Sequence, residues 1–188
     1  MALGCRAGTP RLDARLVTRA DLDQLGPRAA HGYRRVSQAK PVAARTAKAL
    51  GIAVDTPVAR GACLCGAVRF RAELPSKWVA HCHCTYCRRA HGAPFVTWAG
   101  FRSDQFSIEA DAAQPIWHES SPGARRAFCS RCGSPMFFQS TRWPGEMHIA
   151  RALFTDPLDR EPSAHVFYET HVPWLNVADD LPKKISQG

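Results

Sequence analysis

The sequence predicts an all-β domain of short antiparallel strands, held together by metal-binding cysteines and preceded by a basic extension. Three observations support this prediction. Short runs rich in Val, Ile, Phe, Trp and Tyr recur along residues 61–188, separated by Gly, Pro, Ser and Asp, as is typical of strands joined by turns. Seven of the eight cysteines lie between residues 63 and 132. The first 58 residues contain few aromatic residues and most of the excess positive charge.

The N-terminal segment, residues 1–58, differs in composition from the rest of the chain. Residues 1–60 carry 11 Lys and Arg against 4 Asp and Glu, a net of +7, whereas residues 61–188 carry 14 against 12, a net of +2. Two stretches, 12–25 and 41–51, have helical character, but neither has enough apolar surface to be stable alone. We therefore expect a basic, flexible or partly helical extension, with a targeting arm or a basic tether as alternatives. The predicted domain spans residues 59–185.

The apolar runs of the second segment are the predicted strands. They show no sustained helical periodicity, and the segment contains no internal repeat. The runs are GAVRFRAEL (66–74), APFVTWAGF (93–101), QFSIEA (105–110), SPMFFQS (134–140), EMHIARALF (146–154) and AHVFYET (164–170). Because the cysteines fall at the ends and turns of these runs, a bound metal would clip separate strands together.

Composition and hydropathy argue against a membrane-spanning, secreted or nucleic-acid-binding domain. No apolar run approaches the roughly 20 residues needed to span a bilayer, and the N-terminus lacks the apolar segment of a secretory signal. We expect a cytoplasmic protein whose cysteines stay reduced, so metal binding is favoured over disulfides. The low net charge of residues 61–188, without alternating aromatic and basic residues, argues against a nucleic-acid surface in the domain.

The seven clustered cysteines divide into a group of four and a group of three. They are Cys63 and Cys65; Cys82, Cys84 and Cys87; and Cys129 and Cys132. Zinc takes four tetrahedral nitrogen or sulfur ligands in structural sites, and three plus an exchangeable position in catalytic sites. Pairing the first and third clusters gives a closed four-cysteine site between distant strands. The middle trio then lacks a fourth ligand.

The spacing alone does not identify the fourth ligand of a metal bound by the trio. His81, His83 and His91 are near enough in sequence to complete a closed Cys3His site, and an external molecule would complete an exchangeable one. Iron–sulfur binding and a redox dithiol are further alternatives. Positive charge lies next to the cysteines: Arg88 and Arg89 follow Cys87, and Arg131 lies between Cys129 and Cys132. These side chains either offset thiolate charge, attract an anionic ligand, or are ordinary solvated arginines.

Three stretches resemble the glutathione-dependent formaldehyde-activating enzymes, a family whose domain is shared with centromere protein V. They are GACLCGAV (61–68), CHCTYCRRAHG (82–92) and FCSRCGS (128–134), and a late segment at Pro173-Trp174 and Asp180–Pro182 is also similar. The resemblance covers roughly residues 58–182. One departure is the segment Ala150–Asp156, where the family often has a Gly-(Ser/Thr)-Leu-Asp-like sequence, a difference that would alter substrate shape if the segment lines the pocket.

The resemblance implies a zinc-bound, mostly antiparallel fold of the Mss4-like, or β-tent, type. It implies two Zn2+ per chain: one closed site at Cys63, Cys65, Cys129 and Cys132, and a catalytic one at Cys82, Cys84 and Cys87 whose fourth ligand is exchangeable.

The activity implied is that of a carbon–sulfur lyase, an S-(hydroxymethyl)glutathione synthase-like enzyme of formaldehyde detoxification. Its partners would be a small-molecule thiol, glutathione, and an aldehyde. We expect Arg88, Arg89 and Arg102 to pair with the glutathione carboxylates. The alternatives are a non-enzymatic zinc-binding interaction module and a lyase acting on another thiol adduct.

Overall fold

The computed structural model describes residues 56–186. The prediction of an extension over residues 1–58 therefore lies outside the described residues, apart from its last three positions. The first strand begins at Val58, one residue before the predicted start of the domain. Among the described residues, no helix is both long and apolar enough to cross a membrane.

The described chain forms ten strands and one short α-helix. The elements are β1 (Val58–Ala62), β2 (Arg69–Glu73), β3 (Trp78–Cys82), α1 (Thr85–His91), β4 (Val96–Arg102), β5 (Phe106–Ile108), β6 (Ile116–Ser121), β7 (Ala124–Phe128), β8 (Pro135–Ser140), β9 (Glu146–Ala150) and β10 (His165–Val166). Single 3₁₀ turns span Ser103–Gln105, Arg151–Leu153 and Tyr168–Thr170.

The strands form two sheets. A three-stranded antiparallel sheet has the order β1-β2-β5, and a seven-stranded sheet has the order β10-β3-β4-β9-β8-β7-β6. Every pair in the larger sheet is antiparallel except β10–β3, which is parallel. The predicted all-β architecture with antiparallel sheets is confirmed.

Aromatic side chains pack the two sheets together. Phe70 of β2 meets Phe137 of β8 edge to face, with ring centroids 5.3 Å apart, and Phe106 of β5 lies 4.9 Å from the same Phe137 ring. Phe70 and Phe137 are almost completely buried, as are Phe101 and Ile149 beside them. Aromatic pairs of this kind contribute about 0.5–1.5 kcal/mol each beyond the area they bury.

All six predicted runs contain a strand, but four strands and the helix were not predicted. The missed strands are β1, β3, β6 and β7. In the run at 146–154 only the first five residues are a strand, and a 3₁₀ turn follows Ala150. In the run at 164–170 only two residues belong to a strand. The helix α1 has only seven residues, too few to show a helical period in sequence.

We expect the domain to fold without residues 1–55. A chain beginning at Thr56 keeps β1 and the Pro57 carbonyl, which accepts a hydrogen bond from the Leu74 N–H at 2.8 Å. Its melting temperature should stay within about 4 °C of that of the full chain, the shift that about 1 kcal/mol produces in a domain of this size. A chain beginning at Ala62, which lacks most of β1, is the destabilised control. A large loss already in the first truncation would contradict an independent domain.

Candidate metal centre and adjoining cavity

Four cysteines from two sheets meet at one point. Cys63 and Cys65 follow β1, which belongs to the smaller sheet, and Cys129 and Cys132 follow β7, which belongs to the larger one. Their four sulfurs all lie within 4.8 Å of one another. The sulfurs of Cys63 and Cys65 are 3.6 Å apart, and those of Cys65 and Cys129 are 3.8 Å apart. Four sulfurs bound tetrahedrally to zinc at about 2.3 Å would be about 3.8 Å apart, so this group fits the ion.

Two similar turns present these sulfurs. In the first turn the Gly66 N–H donates to the Cys63 carbonyl at 3.0 Å, and in the second the Gly133 N–H donates to the Cys129 carbonyl at 2.8 Å. Both glycines have a φ of 72°, which side chains rarely tolerate. Cys-x-Cys-Gly thus closes a turn of four residues and Cys-x-x-Cys-Gly a turn of five, and each turn ends on a glycine in the left-handed region.

Hydrogen bonds favour deprotonated sulfur at Cys63 and Cys132. At Cys65 the backbone N–H of Ala67 lowers the pKa, but desolvation and the three neighbouring thiols outweigh it and raise that pKa to about 11. The Val68 N–H donates to the Cys63 sulfur at 3.3 Å. The Ser134 hydroxyl lies 3.2 Å from the Cys132 sulfur and lowers the pKa of that thiol to about 5. Since the thiolate is the form that binds metal, these contacts prepare the group for a cation.

The second cluster is a trio formed within six residues of chain. Cys82 ends β3, Cys84 is the N-cap of α1, and Cys87 lies in its first turn. The three sulfurs lie within 4.8 Å of one another, with those of Cys82 and Cys87 3.6 Å apart. The Cys87 N–H donates to the Cys84 sulfur at 3.3 Å, which caps the helix. The trio therefore depends on the β3–α1 corner alone and not on contacts between the two sheets.

Two buried side chains face the Cys87 sulfur. Nη2 of Arg126, on β7, lies 3.8 Å from it, and the guanidinium also lies 4.6 Å from the centre of the Phe138 ring. Hydrogen bonds from the other two thiols lower the pKa of Cys87 to about 3, with smaller contributions from Trp98 and Arg126. The indole N–H of Trp98 is buried and has no partner that meets hydrogen-bond geometry in the described part of the chain. A thiolate at Cys87 would satisfy it, so the surroundings suit a metal-binding trio.

Two of the three nearby histidines belong to a different cluster. His83 Nε2 lies 2.8 Å from Nδ1 of His165, whose Nε2 lies 3.0 Å from both carboxylate oxygens of Asp179. His81 stacks on His165, with ring centroids 4.9 Å apart, and contacts the Thr97 hydroxyl at 2.8 Å. Nitrogens of His81 and His165 and an oxygen of Asp179 lie within 4.8 Å of one another.

His91 also lies apart from the three sulfurs. Its ring packs edge to face on Trp98 at 5.2 Å, and burial, followed by the Arg126 charge, lowers its pKa to about 4. Within residues 56–186, the group of ligand atoms around the trio contains three sulfurs and no histidine nitrogen. An exchangeable fourth ligand therefore stays a prediction, with no histidine of the described chain in the group formed by the trio.

A cavity of about 750 Å³ opens beside the trio. All three cysteines line it, and its walls include Trp78, Trp98, Phe138, Trp143 and Phe167. Its size is within the range of about 300–1,000 Å³ for small-molecule sites.

The arginines that the sequence suggested as ligand contacts do not line this cavity. Arg88 donates from Nε to the His83 carbonyl at 3.1 Å, and Arg89 is exposed. Arg102 forms a two-pronged ion pair with Asp104, at 2.8 and 2.7 Å. The cations that do line it, among the described residues, are Arg126, Arg142 and Lys184.

The sequence reasoning missed Arg126, Trp98 and His148 as residues of this site. Arg126 and His148 are charged or polar residues at inward-facing positions of strands, 7% and 4% exposed. A polar residue inside an apolar run, as in Glu-Met-His-Ile-Ala, is the signal that would have identified His148. Arg126 lies in the run Ala-Arg-Arg-Ala-Phe, which does not resemble a buried strand.

Comparison with known proteins gives a consistent result. The profile of the family described as "Glutathione-dependent formaldehyde-activating enzyme" matches residues 58–170. A Halomonas elongata protein named "Putative glutathione-dependent formaldehyde-activating enzyme" is 30% identical over 125 residues, 62% of this chain and 79% of that protein. A Schizosaccharomyces pombe protein named as an uncharacterized lyase is 29% identical over 98 residues, 52% of this chain and 69% of that protein.

One solved structure is also similar. It is the crystal structure of a Rhodobacter sphaeroides protein, with 26% identity and a TM-score of 0.45, covering 54% of this chain and 92% of that one. The family profile alone spans more than half of the present chain and includes all seven cysteines of the two clusters. The chain belongs to the glutathione-dependent formaldehyde-activating enzyme family.

Proposed function

We propose that this protein is a zinc-dependent carbon–sulfur lyase-type enzyme that joins formaldehyde, or a related aldehyde, to the thiol of glutathione. The observation that carries the proposal is the position of the cysteine trio, which lines a cavity of ligand size and has no histidine in its ligand group in the described chain. The names of the family and of the two relatives support a glutathione-dependent, lyase-type activity.

The two cysteine groups would hold one Zn2+ each. Cys63, Cys65, Cys129 and Cys132 would supply all four ligands of a structural ion, and the trio would supply three ligands of a catalytic one. When bound at the trio, zinc would stabilise the deprotonated form of a substrate thiol. All seven described cysteines are unpaired thiols, so we also propose a reducing, cytoplasmic location.

The reaction requires one new bond and one proton transfer. The thiol sulfur bonds to the carbonyl carbon, the π electrons of the carbonyl move to its oxygen, and the proton lost from sulfur ends on that oxygen. The product is S-(hydroxymethyl)glutathione. Holding thiol and aldehyde together in the cavity would supply several kcal/mol of the barrier, within the limit of about 7–11 kcal/mol for well-oriented reactants.

The cationic side chains of the cavity would serve two roles. Arg126 is buried beside Cys87, so its positive charge would offset the negative charge of the three thiolates and reduce the electron density that they donate to a bound metal. Arg142 and Lys184 are exposed and line the cavity, where they would attract the two carboxylates of glutathione. We propose these two in place of Arg88, Arg89 and Arg102, which lie outside the lining.

The two metal groups should respond differently to loss of one ligand. Cys132→Ser breaks a link between the two sheets, and structural zinc contributes on the order of 10 kcal/mol to folding in zinc-finger peptides, so we expect misfolding or a strongly lowered melting temperature. Cys84→Ser should keep the fold, because serine is also a good helix N-cap. Metal analysis should find about two zinc per chain in the wild type and about one in Cys84→Ser. Equal melting temperatures for the two variants would contradict the assignment.

Glutathione should reach the metal at the trio. With cobalt in place of zinc, added glutathione should strengthen the thiolate-to-cobalt absorption, whereas S-methylglutathione, which has no ionisable thiol, should leave it unchanged. Cys84→Ser loaded with cobalt at the four-cysteine group is the control and should not respond. If glutathione has no effect and His91→Ala strips the second metal, the site is a closed Cys3His site. The protein would then be a zinc-binding interaction module.

A further inference from the structure

His148 occupies a fixed position in the wall of the cavity beside the trio. It lies on β9 opposite Gly100 of β4. Trp78 covers that glycine, where a Cβ atom would fall 2.3 Å from the indole ring. The ring centroids of Trp78, Phe138 and Trp143 lie 4.7, 5.4 and 5.4 Å from that of His148. Three aromatic side chains therefore hold the imidazole in place.

The hydrogen bonds around His148 fix which ring nitrogen carries the proton. Nε2 lies 3.1 Å from the carboxylate of Glu146, which also accepts from the Trp78 indole at 3.1 Å and from the Lys77 ammonium. Burial opposes ionisation of Glu146, but these three hydrogen bonds together lower its pKa. An ionised carboxylate only accepts, so Nε2 of His148 is the donor. Burial also lowers the pKa of His148, which keeps the ring neutral near pH 7.

The other ring nitrogen, Nδ1, is consequently a free acceptor. None of the hydrogen bonds within residues 56–186 involves it. The described chain encloses five polar side-chain atoms without a partner, and Nδ1 of His148 is not one of them. This nitrogen therefore stays in contact with the cavity, where it is available to a ligand that carries an N–H or O–H group.

The strand register places this acceptor far from the cysteine trio. His148 lies in the row of Trp78 and Gly100, whereas Cys82 lies four residues farther along β3, in the row of Val96. At 3.2–3.4 Å per residue, four residues are about 13 Å. A ligand that contacts both ends of the cavity must span on the order of 10 Å, about three residues of extended peptide.

The charges at this end of the cavity suit a zwitterionic group. No Asp or Glu is among the described lining residues, while the guanidinium of Arg142 lies 5.3 Å from the centre of the Trp143 ring, which itself packs on His148. Arg142 attracts a carboxylate, and the His148 acceptor, with Glu146 behind it, favours a cationic donor. An α-amino acid group presents both charges on neighbouring atoms.

We propose that Nδ1 of His148 accepts a hydrogen bond from the α-ammonium group of a peptide thiol whose sulfur lies at the cysteine trio. The assignment rests on the proposed function and makes its substrate more specific. A thiol about three residues long with a free amino group, such as glutathione, reaches both ends of the cavity. Smaller thiols reach only the trio. His148 is thus a specificity residue and takes no part in bond formation.

Calorimetric titration of the full-length, zinc-loaded protein tests the assignment. Glutathione is compared with glutaryl-cysteinyl-glycine, which lacks only the α-amino group. Wild-type protein should bind glutathione about tenfold to hundredfold more tightly, the range for a hydrogen bond to a charged group. His148→Leu should bind the two peptides equally. His148→Gln, which keeps an acceptor, should restore part of the preference.

His118→Leu is the matched control. This histidine is exposed on β6 and does not line the cavity beside the trio, so the full preference should remain. Equal binding of the two peptides to wild-type protein, or a preference that survives in His148→Leu, would overturn the assignment of His148. The proposed function would still stand if glutathione changes the cobalt spectrum as expected. Absence of any glutathione binding to wild-type protein would remove both.

Discussion

The meeting of four thiols between the two sheets is the constraint on which the rest of the structure depends. The sheets share no strand. Besides the aromatic core and the hydrogen bonds between β1 and residues 154–156, they are tied together where the turn after β1 meets the turn after β7. That contact lies directly beyond the end of β7, the strand that carries Arg126. Because Arg126 reaches the Cys87 sulfur, the charge around the trio is linked to the strand that the four-thiol group anchors. Loss of the four-thiol group would therefore disturb the surroundings of the trio as well as the link between the sheets, although the β3–α1 corner itself would remain.

Successive side chains of strand β3 point to opposite faces of the sheet, and each face carries a different cluster. Cys82 faces the cavity, while His81 faces the opposite side and stacks on His165. On that opposite side, the hydrogen-bonded series from Asp179 through His165 to His83 connects the C-terminal segment with the Cys82–Cys84 turn. Two of the three histidines that the sequence suggested as metal ligands, His81 and His83, thus pack with His165 on the face of β3 opposite the cavity. Two residues that are adjacent in sequence contribute to separate clusters because successive side chains of a strand point to opposite faces.

The sequence was most informative where chemistry depends on local spacing. The cysteine clusters, their division into four and three, and the strands rich in β-branched and aromatic residues could all be predicted. Strands β6 and β7 could not, because Ile-Trp-His-Glu-Ser-Ser and Ala-Arg-Arg-Ala-Phe are too polar to resemble strands. The cavity was also beyond prediction, since its walls come from strands far apart in sequence. Arg126 and His148 owe their roles to neighbours across the sheet, and no local pattern records which residues those neighbours are.

The two cysteine groups differ in how much chain must exist before each is complete. The trio needs only residues 82–87, whereas Cys65 meets Cys129 across 64 positions. During synthesis the trio is therefore complete while Cys63 and Cys65 still await their partners. Until Cys129 and Cys132 have been made, the growing chain carries five thiols within residues 63–87, and only the trio has all of its cysteines. If each group binds zinc as proposed, the order of emergence from the ribosome would favour metal capture by the trio first. The same order exposes the first pair to oxidation or to a wrong ligand until residue 132 has been made.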